Sequence, residues 1–542
     1  MADNNDNPLL EDAELPPFSR IDAPHVLPAV QTLLGRGRGL VAEVLDAAHE
    51  PTWETVVQPI AEMEDRISRA WSPVAHLKAV ADNPQLREAY NAARALLSEY
   101  ATEMGQNEGL ANSYRRIAER GGLDDGQRRV LELALRDFRL AGVDLPPEKK
   151  ARFKAIDKRL AELGSKFSEN VLDATDAWKK HVADEKALRG LPQSALALAA
   201  DNARREGLDG YLLTLEFPSY HPVITYADDE ALRREIYEAF CTRASERGPN
   251  AHTFDNSEVM QEILALRHER AALLGFDNYA EYSLARKMAP DTARVLEFLD
   301  DLTSRARPVA QAELDELRAF ARDNFGRKTL EAWDIPYYSE KLRKAKHDIS
   351  NEELRAYFPA PRVVDGMFAV VKKLFGVDIA PVEGVDTWHP DVRFFEIRDA
   401  DGEVRGRFYL DLYARAHKRG GAWMDECRVR MRTAAGVQTP VAYLTCNFTP
   451  PVGEKPSLLT HDEVTTLFHE FGHGLHHMLT RIEYPSISGI NGVAWDAVEL
   501  PSQFLENWCW EEEALALISA HVDSGAPLPA ETFARMKAAR NF

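Results

Sequence analysis

The chain has 542 residues with 66 basic and 87 acidic side chains, so its formal charge is -21 at pH 7, and 45% of its residues are hydrophobic. This length is enough for two or more domain-sized cores, and the composition is that of a folded protein rather than a disordered one. Nucleic acid is disfavoured as a partner, because its binding depends on neutralising phosphates and the chain has no run of Lys and Arg.

The first residues and the cysteines indicate the cellular compartment. The N-terminal sequence "MADNNDN" has neither the positive segment nor the apolar segment of a secretory signal, and no run of about eighteen apolar residues occurs anywhere. We therefore expect a cytoplasmic monomer that does not insert into a membrane. The four cysteines are scattered without a Cys-x-x-Cys pair, so we expect them to be reduced core residues.

The first part of the chain predicts helices. From Thr52 to about Leu145, apolar residues recur at three- and four-residue intervals. An amphipathic stretch from Pro146 to about Val182 predicts a surface helix or a helical hairpin. We place a boundary between Arg189 and Gly210, which divides the chain into an N-terminal helical region, 1–200, and a catalytic region, 201–542.

Short strands alternate with helices in the second region. The runs "YLLTLEF" and "HPVITYA" are rich in β-forming residues and predict a small hairpin or sheet. A helix is expected from Asn256 to Leu274, with Gly275 as its stop signal. Strands return in "VRFFEI", "GRFYLDLYA" and "PVAYLTCNF". The pattern as a whole predicts a mainly α protein with a few short β-strands.

The segment "LLTHDEVTTLFHEFGHGLHHMLTRI" carries the clearest chemical signal. Thr460 and Glu463 have the spacing of a capping box, which predicts a helix from about His461 to Thr480. Its apolar residues form one stripe, and its histidines cluster roughly opposite that stripe. The helix therefore has one face for packing and one face for chemistry.

The histidine face suits a zinc ion and a general base. His469 and His473 are four residues apart, so their imidazoles lie one above the other and can bind the same ion. Glu470 can reach a water on the open side of the metal, whose pKa zinc lowers towards roughly 7, and can pass the proton to the leaving amine. The alternative interpretation is an ordinary polar surface face with histidines.

A third ligand is needed, and Glu499, 26 residues after His473, is the best candidate. Asp496 is then a candidate to orient an imidazole by a hydrogen bond. The alternative is that Asp496 and Glu499 only form a capping box for the next helix. His476 also lies on the histidine face, and we rank it below Glu499, as an alternative ligand or a residue near the site.

Two further segments are candidates for binding a peptide substrate. Gly489 and Gly492 either let a substrate backbone pass close to the metal or only permit a turn. The strand "VAYLTCNF" presents a free edge at Ala442, Tyr443 and Leu444 if it lies at the side of its sheet. An interior position of this strand is equally compatible with the sequence.

The run "FHEFGHGLHHML" together with "GVAWDAVELPSQFLENW" resembles the thimet oligopeptidase (M3) family of zinc metallopeptidases. The similarity extends from "ELPPFSRI" through "WDIPYYSEK", "TWHPDVRFFE" and "FYLDLYARAHKRGGAWMD" to "LPSQFLENWCWE". It implies a two-lobed, mainly α, zincin-like fold with a deep channel and one zinc ion on its floor. It also implies His469, His473 and Glu499 as ligands and Glu470 as the catalytic carboxylate.

The activity implied by the resemblance is endopeptidase cleavage of short unfolded oligopeptides, including signal-peptide fragments, in the cytoplasm. A peptidyl-dipeptidase and a non-catalytic peptide-binding protein are the alternatives. Members of the family continue for well over a hundred residues beyond the position of Phe542, through a Gly/Tyr-rich loop that helps to bind the substrate. We therefore expect the catalytic region to be truncated at its C-terminus and to lack that loop.

Overall fold

The computed structural model describes residues 6–47, 50–434, 436–453 and 455–542. The chain is mainly helical, as predicted. The helices of the first 200 residues begin and end as follows: α1 (Ala23–Ala47), α2 (Gln58–Val80), α3 (Pro84–Gly105), α4 (Glu108–Arg120), α5 (Asp125–Leu140), α6 (Pro147–Ala177) and α7 (Gln193–Arg205). The helices predicted between Thr52 and Leu145 are therefore confirmed, and the amphipathic stretch after them is a single long helix.

Two short strands and a further group of helices follow. Strand β1 (Lys179–Val182) pairs antiparallel with β2 (Tyr211–Thr214). The helices are α8 (Phe217–Tyr226), α9 (Glu230–Cys241), α10 (Ser257–Leu273), α11 (Tyr279–Leu284), α12 (Thr292–Phe325), α13 (Ile335–His347), α14 (Asn351–Arg355) and α15 (Ala360–Phe375). Helix α10 confirms the helix predicted up to Leu274.

The hairpin predicted from "YLLTLEF" and "HPVITYA" is wrong in its second half. The first run does contain β2, but its partner is β1, and "HPVITYA" lies almost wholly in α8. Pro218 stands in the first turn of α8, where a proline favours a helix start, and Val223 and Ile224 are buried there. Tertiary packing has therefore overridden the β-propensity of these residues.

A five-stranded sheet supports the second half of the chain. Its strands are β3 (Asp378–Pro381), β4 (Arg393–Arg398), β5 (Val404–Tyr413), β6 (Trp423–Arg428) and β9 (Val441–Phe448), and β7 (Met431–Thr433) pairs separately with β8 (Gly436–Gln438). The order is β3-β4-β5-β9-β6, with β5 and β9 parallel and the other pairs antiparallel. The three strands predicted between Val392 and Phe448 are confirmed.

Helices cover both faces of this sheet. The last helices are α16 (His461–Met478), α17 (Leu500–Glu506), α18 (Glu512–Ile518) and α19 (Ala530–Ala538). Phe408 and Leu444 share a core with Phe471 of α16, whereas Tyr409 and Tyr443 share a core with α1 to α3. Burial on both faces explains why these strands are almost continuously apolar in sequence.

Two sequence-based expectations concern the surface of the protein. Cys427, Cys446 and Cys509 are buried, as expected for core cysteines, but Cys241 is exposed, at the end of α9. Within the described residues, no helix combines the length and the apolar character that crossing a bilayer requires. The boundary near residue 200 stays a prediction.

Candidate metal centre

Helix α16 begins where the capping box predicts. The Thr460 hydroxyl accepts from the Glu463 backbone N–H at 3.1 Å, and the Glu463 carboxylate accepts from the Thr460 N–H at 2.7 Å. These two bonds satisfy backbone donors that would otherwise be unpaired at a helix start. The apolar stripe of the helix, which includes Phe468 and Phe471, is buried against the sheet, so the histidine face is directed to the other side. The predicted helix is confirmed, although it ends at Met478.

Three side chains proposed as metal ligands lie together. Nε2 of His469 lies 3.2 Å from Oε2 of Glu499, and Nε2 of His473 lies 3.1 Å from the same oxygen. One potential ligand atom from each residue lies within 4.8 Å of the other two. Two imidazoles and one carboxylate are a donor set that zinc uses in catalytic sites, where the fourth position is left for water or substrate. The residues therefore fit this metal.

A glycine brings the two helices of this centre together. A Cβ atom added to Gly472 would lie 2.6 Å from the carbonyl oxygen of Pro501 and 2.6 Å from Cα of Ser502. These neighbours are backbone atoms, so only glycine lets α17 approach α16 this closely. Glu499 immediately precedes α17, and the close approach places its carboxylate next to the two histidines.

Two side chains that the sequence analysis missed hold the ligands. Nδ1 of His469 donates to Oε1 of Glu506 at 2.6 Å, which turns Nε2 towards Glu499. The buried hydroxyl of Ser502 lies 2.8 Å from Oε2 of Glu499. Glu506 is seven residues after Glu499, a separation that places two residues on the same side of a helix after two turns. This spacing was the feature of the sequence that could have identified Glu506 as a partner of the ligands.

The role expected for Asp496 is therefore taken by Glu506. The Asp496 carboxylate instead accepts from the backbone N–H of Met288 at 2.9 Å and from that of Ala289 at 3.0 Å. These bonds lower the pKa of Asp496, against the opposing effect of its desolvation. Asp496 thus ties the loop before Glu499 to the segment between α11 and α12, and the expectation that it orients a histidine is wrong.

His476 does not belong to the converging group of ligand atoms. It is half-buried, and burial lowers its pKa, with His477 and His473 adding to the effect. His476 therefore stays a residue near the centre rather than one of the three converging donors.

Glu470 is buried beside the candidate ligands, with 6% of its surface exposed. Burial raises the pKa of Glu470 to about 7; His469 opposes this rise, Glu499 adds to it, and a hydrogen bond from the backbone of Met424 opposes it. A carboxyl with a pKa near neutrality is suited to both accepting and giving a proton. Met424 lies on β6, so the carboxylate is held between α16 and the edge strand of the sheet.

The candidate substrate segments have different positions from those expected. Strand β9 lies between β5 and β6, and Ala442, Tyr443 and Leu444 are buried. The free edge expected at these three residues is therefore wrong, and the edge next to Glu470 belongs to β6.

Both candidate glycines have structural reasons to be glycine. Gly489 has a φ of +62°, and an added Cβ would lie 2.9 Å from Cα of His477. Gly492 has a φ of +71°, and its Cβ would lie 3.0 Å from the carbonyl oxygen of Ser486. Both positions need the left-handed conformation and the close packing that glycine permits. These requirements explain the two glycines by the turn alone, without a substrate.

Comparisons with known proteins place this centre in a family. The family model "Peptidase family M3" matches residues 223–542, and "Neurolysin/Thimet oligopeptidase, N-terminal domain" matches residues 38–150. The chain is 56% identical to "Oligopeptidase A" of Escherichia coli (strain K12), over 99% of this chain and 79% of that protein. It is 41% identical to "Organellar oligopeptidase A, chloroplastic/mitochondrial" of Arabidopsis thaliana, over 99% of this chain and 69% of that protein.

A more distant relative and a solved structure complete the comparison. "Dipeptidyl carboxypeptidase" of Escherichia coli (strain K12) is 32% identical over 99% of this chain and 79% of that protein. The crystal structure of a putative oligoendopeptidase F from Bacillus anthracis str. Ames has a TM-score of 0.55 and 15% identity, covering 94% of this chain and 73% of that one. At this identity, the structural match supports the fold alone.

The chain belongs to peptidase family M3. It is therefore a metallopeptidase with a mainly helical fold. Its identity of 56% to oligopeptidase A, against 32% to dipeptidyl carboxypeptidase, supports the oligopeptidase interpretation over the peptidyl-dipeptidase alternative.

Proposed function

We propose that the chain is a zinc-dependent endopeptidase of short oligopeptides, with His469, His473 and Glu499 as the metal ligands and Glu470 as the catalytic carboxylate. The observation that carries this proposal is the convergence of three ligand atoms within 4.8 Å of one another beside a buried carboxyl group. Two imidazoles and one carboxylate that converge in this way are the donor set of a catalytic zinc site.

The protein side chains have separate roles in peptide hydrolysis. A zinc ion bound here would polarise the scissile carbonyl and lower the pKa of water. Glu470 takes the proton from the attacking water and gives it to the departing amide nitrogen. Glu506 keeps His469 oriented through Nδ1, and Ser502 steadies the carboxylate of Glu499.

The edge strand β6 offers a place for the substrate backbone. Within the described chain, β6 pairs with β9 on one side only, so its other side is not covered by a further strand. An extended peptide can add to such an edge as a further strand. Because Met424 of β6 contacts Glu470, a peptide bound along β6 passes next to the catalytic carboxylate.

Replacing the catalytic carboxylate tests the proposal. Glu470→Gln keeps the size of the side chain but removes the proton acceptor, so zinc content measured by mass spectrometry should persist while cleavage falls by roughly a hundredfold or more. Glu531→Gln, an exposed residue of α19, is the matched control and should cleave normally. Normal turnover in Glu470→Gln would contradict the assignment.

A second measurement separates the endopeptidase from its alternatives. The substrate is a peptide of about ten residues with an amidated C-terminus, which removes the free carboxylate that a peptidyl-dipeptidase recognises. Internal cleavage products in mass spectrometry support the endopeptidase. Release of dipeptides only from the non-amidated peptide would support the peptidyl-dipeptidase, and tight binding by the zinc-loaded protein without cleavage would support a peptide-binding protein.

A further inference from the structure

Asn447 of β9 holds the turn that leads into the edge strand β6. Its Nδ2 donates to the carbonyl oxygen of Arg419 at 2.8 Å and to that of Gly421 at 2.6 Å. A side-chain amide nitrogen carries two hydrogens, so one asparagine can hold two carbonyl groups of the same turn. The turn ends at Ala422, directly before the first residue of β6.

The position of Asn447 continues the pairing of β6 with β9. The pairing at the start of β6 begins with Trp423 opposite Thr445, and the two strands are antiparallel. Asn447 is two residues after Thr445, and Gly421 is two residues before Trp423, so the same register places them opposite each other. The side-chain amide therefore extends the hold of β9 beyond the end of the backbone ladder.

The two glycines of the turn add little packing of their own. A Cβ atom added to Gly420 or to Gly421 would meet no atom of the described residues within 4 Å, apart from its chain neighbours. Gly421 has a φ of +92°, a conformation that glycine adopts at little cost. At the start of the turn, the backbone N–H of Arg419 donates to the carbonyl oxygen of Ala79 in α2 at 2.8 Å. This bond fixes one end of the turn, and Asn447 fixes the end that joins β6.

We propose that Asn447 is a positioning residue of the enzyme, which holds the beginning of β6 in the extended geometry that a bound peptide needs for pairing. This rests on the proposed endopeptidase function, in which the substrate lies along β6 and passes Met424 beside Glu470. A strand edge accepts a peptide only when its N–H and C=O groups are aligned. Without Asn447, the peptide has to order the start of β6 when it binds, and that ordering lowers its affinity.

The chemical groups of the centre lie on other elements. His469, Glu470 and His473 belong to α16, and Glu499 directly precedes α17. Loss of the amide of Asn447 leaves these elements and their contacts in place. The effect should therefore fall on substrate binding, with metal binding unaltered and the chemical step little changed.

Replacing Asn447 in the zinc-loaded protein tests the proposal. Asn447→Leu has a similar size but no donor, and with an internally quenched peptide it should raise KM about fivefold while kcat changes less than about twofold. Its zinc affinity, measured by competition with a chelator, should be unchanged. Asn324→Leu is the matched control, since the exposed Asn324 amide donates to the carbonyl oxygen of Phe320 within α12 at 3.0 Å. This control should have the KM of the unmodified protein.

The conservative variant is Asn447→Gln, which carries the amide donors on a longer arm and should recover part of the lost affinity. An unchanged KM in Asn447→Leu would overturn the proposal. A fall in its zinc affinity would also overturn it, because Asn447 would then act through the metal centre.

Methylated peptides test whether Asn447 acts on the pairing with the substrate backbone. Each peptide of the series carries one N-methyl group on a different backbone amide. In the unmodified protein, methylation of an amide that pairs with β6 should lower kcat/KM about tenfold. In Asn447→Leu the same methyl group should lower it less than about threefold, because part of the pairing is already lost. Equal penalties at every position in both proteins would overturn the proposal.

A glycine variant acts on the same turn without changing Asn447. Gly421→Ala places a Cβ atom at a φ of +92°, so the turn has to change its conformation, and KM should rise as in Asn447→Leu. Gly402→Ala, at a φ of +82° in the turn between β4 and β5, has the same conformational problem and should leave KM unchanged. An unchanged KM in Gly421→Ala would overturn the proposal. Failure of the proposed function is a different result, since the unmodified zinc-loaded protein would then not cleave the reference peptide.

Discussion

Nδ1 of His469 lies 2.6 Å from Oε1 of Glu506, and this contact joins α16, which carries two candidate metal ligands, to α17, which directly follows the third. A carboxylate on the far nitrogen of an imidazole fixes its tautomer and makes the ligating nitrogen a stronger donor. His469 can then present Nε2 to the metal without reorienting first.

Replacing this carboxylate should weaken metal binding. Glu506→Gln keeps an oxygen that can accept from His469 but removes the negative charge, so we expect zinc affinity to fall about 10- to 100-fold. Competition with a chelator of known affinity measures the change. Glu511→Gln, an exposed residue shortly after α17, is the control and should bind zinc normally. Unaltered affinity in Glu506→Gln would show that the contact has no role in holding the metal.

The close approach of α16 and α17 at Gly472 gives a second prediction. In Gly472→Ala the new Cβ meets backbone atoms of Pro501 and Ser502 at 2.6 Å, so α17 has to shift and take Glu499 with it. We expect a loss of about 1 to 3 kcal/mol in the free energy of unfolding, together with weaker zinc binding. Chemical denaturation and chelator competition measure the two effects.

The same helix offers a matched control. In Gly474→Ala the new Cβ meets the end of the Leu444 side chain at 3.0 Å, and this side chain can move. Alanine also favours the helix over glycine by up to about 1 kcal/mol. Gly474→Ala should therefore be near neutral in stability and in zinc binding. Equal losses in both variants would show that the approach of α17 is not the cause.

The sequence predicts the α16 helix and the pairing of His469 with His473, because capping and i, i+4 spacing are local properties. Glu499 is 26 residues further on, and it was predicted from the need for a third ligand and from the family resemblance. It does not by itself predict the order of strands in the sheet, because only their pairing decides which strand lies at the edge. The available signal was the almost continuous apolar run of β9, which favours an interior position, against the charged residues of β6. The same limit applies to Asp496. Asp496 lies one turn before Glu499 and Glu506 lies two turns after it, so the sequence allows either carboxylate to orient a histidine. The direction of α17 brings Glu506, and not Asp496, next to His469.

A second contact holds the loop that leads to Glu499. Oε1 of Glu426 lies 3.1 Å from Nδ1 of the fully buried His477 and accepts from Nδ2 of Asn491 at 2.7 Å. Glu426→Ala removes the acceptor of the Asn491 amide and the carboxylate beside His477, so we expect a loss of about 1 to 3 kcal/mol in the free energy of unfolding.

The variant Glu426→Gln separates the loss of the hydrogen-bond acceptor from the loss of side-chain packing. Glu426→Gln retains an oxygen that can accept from Asn491, so it should recover at least half of the lost stability. Thermal denaturation with and without zinc measures both variants. If Glu426→Gln is as unstable as Glu426→Ala, the negative charge rather than the hydrogen-bond acceptor is what the loop requires.

The buried carboxylate of Asp411 predicts the acid stability of the protein. Burial alone would raise its pKa, but hydrogen bonds and charges from Arg415 and Lys418 lower it to about 2, from an ordinary value of 3.8. Trp388 also donates to this carboxylate, at 2.9 Å. Since the unfolded chain takes up the proton first as the pH falls, the stabilisation is present above about pH 4 and is lost between about pH 4 and 2. Its size is about 2 to 3 kcal/mol.

Denaturant unfolding between pH 3 and 6 measures this effect, and Asp411→Asn identifies the group responsible. The variant should lose this part of the pH dependence, because asparagine does not titrate. It should also be less stable at pH 6 by about 3 kcal/mol, because Lys418 is fully buried and would lose its charged partner. Asp401→Asn, in an exposed turn, is the matched control and should keep both the stability and the pH profile of the unmodified protein. A pH profile in Asp411→Asn that matches the unmodified protein would assign the acid sensitivity to other carboxylates.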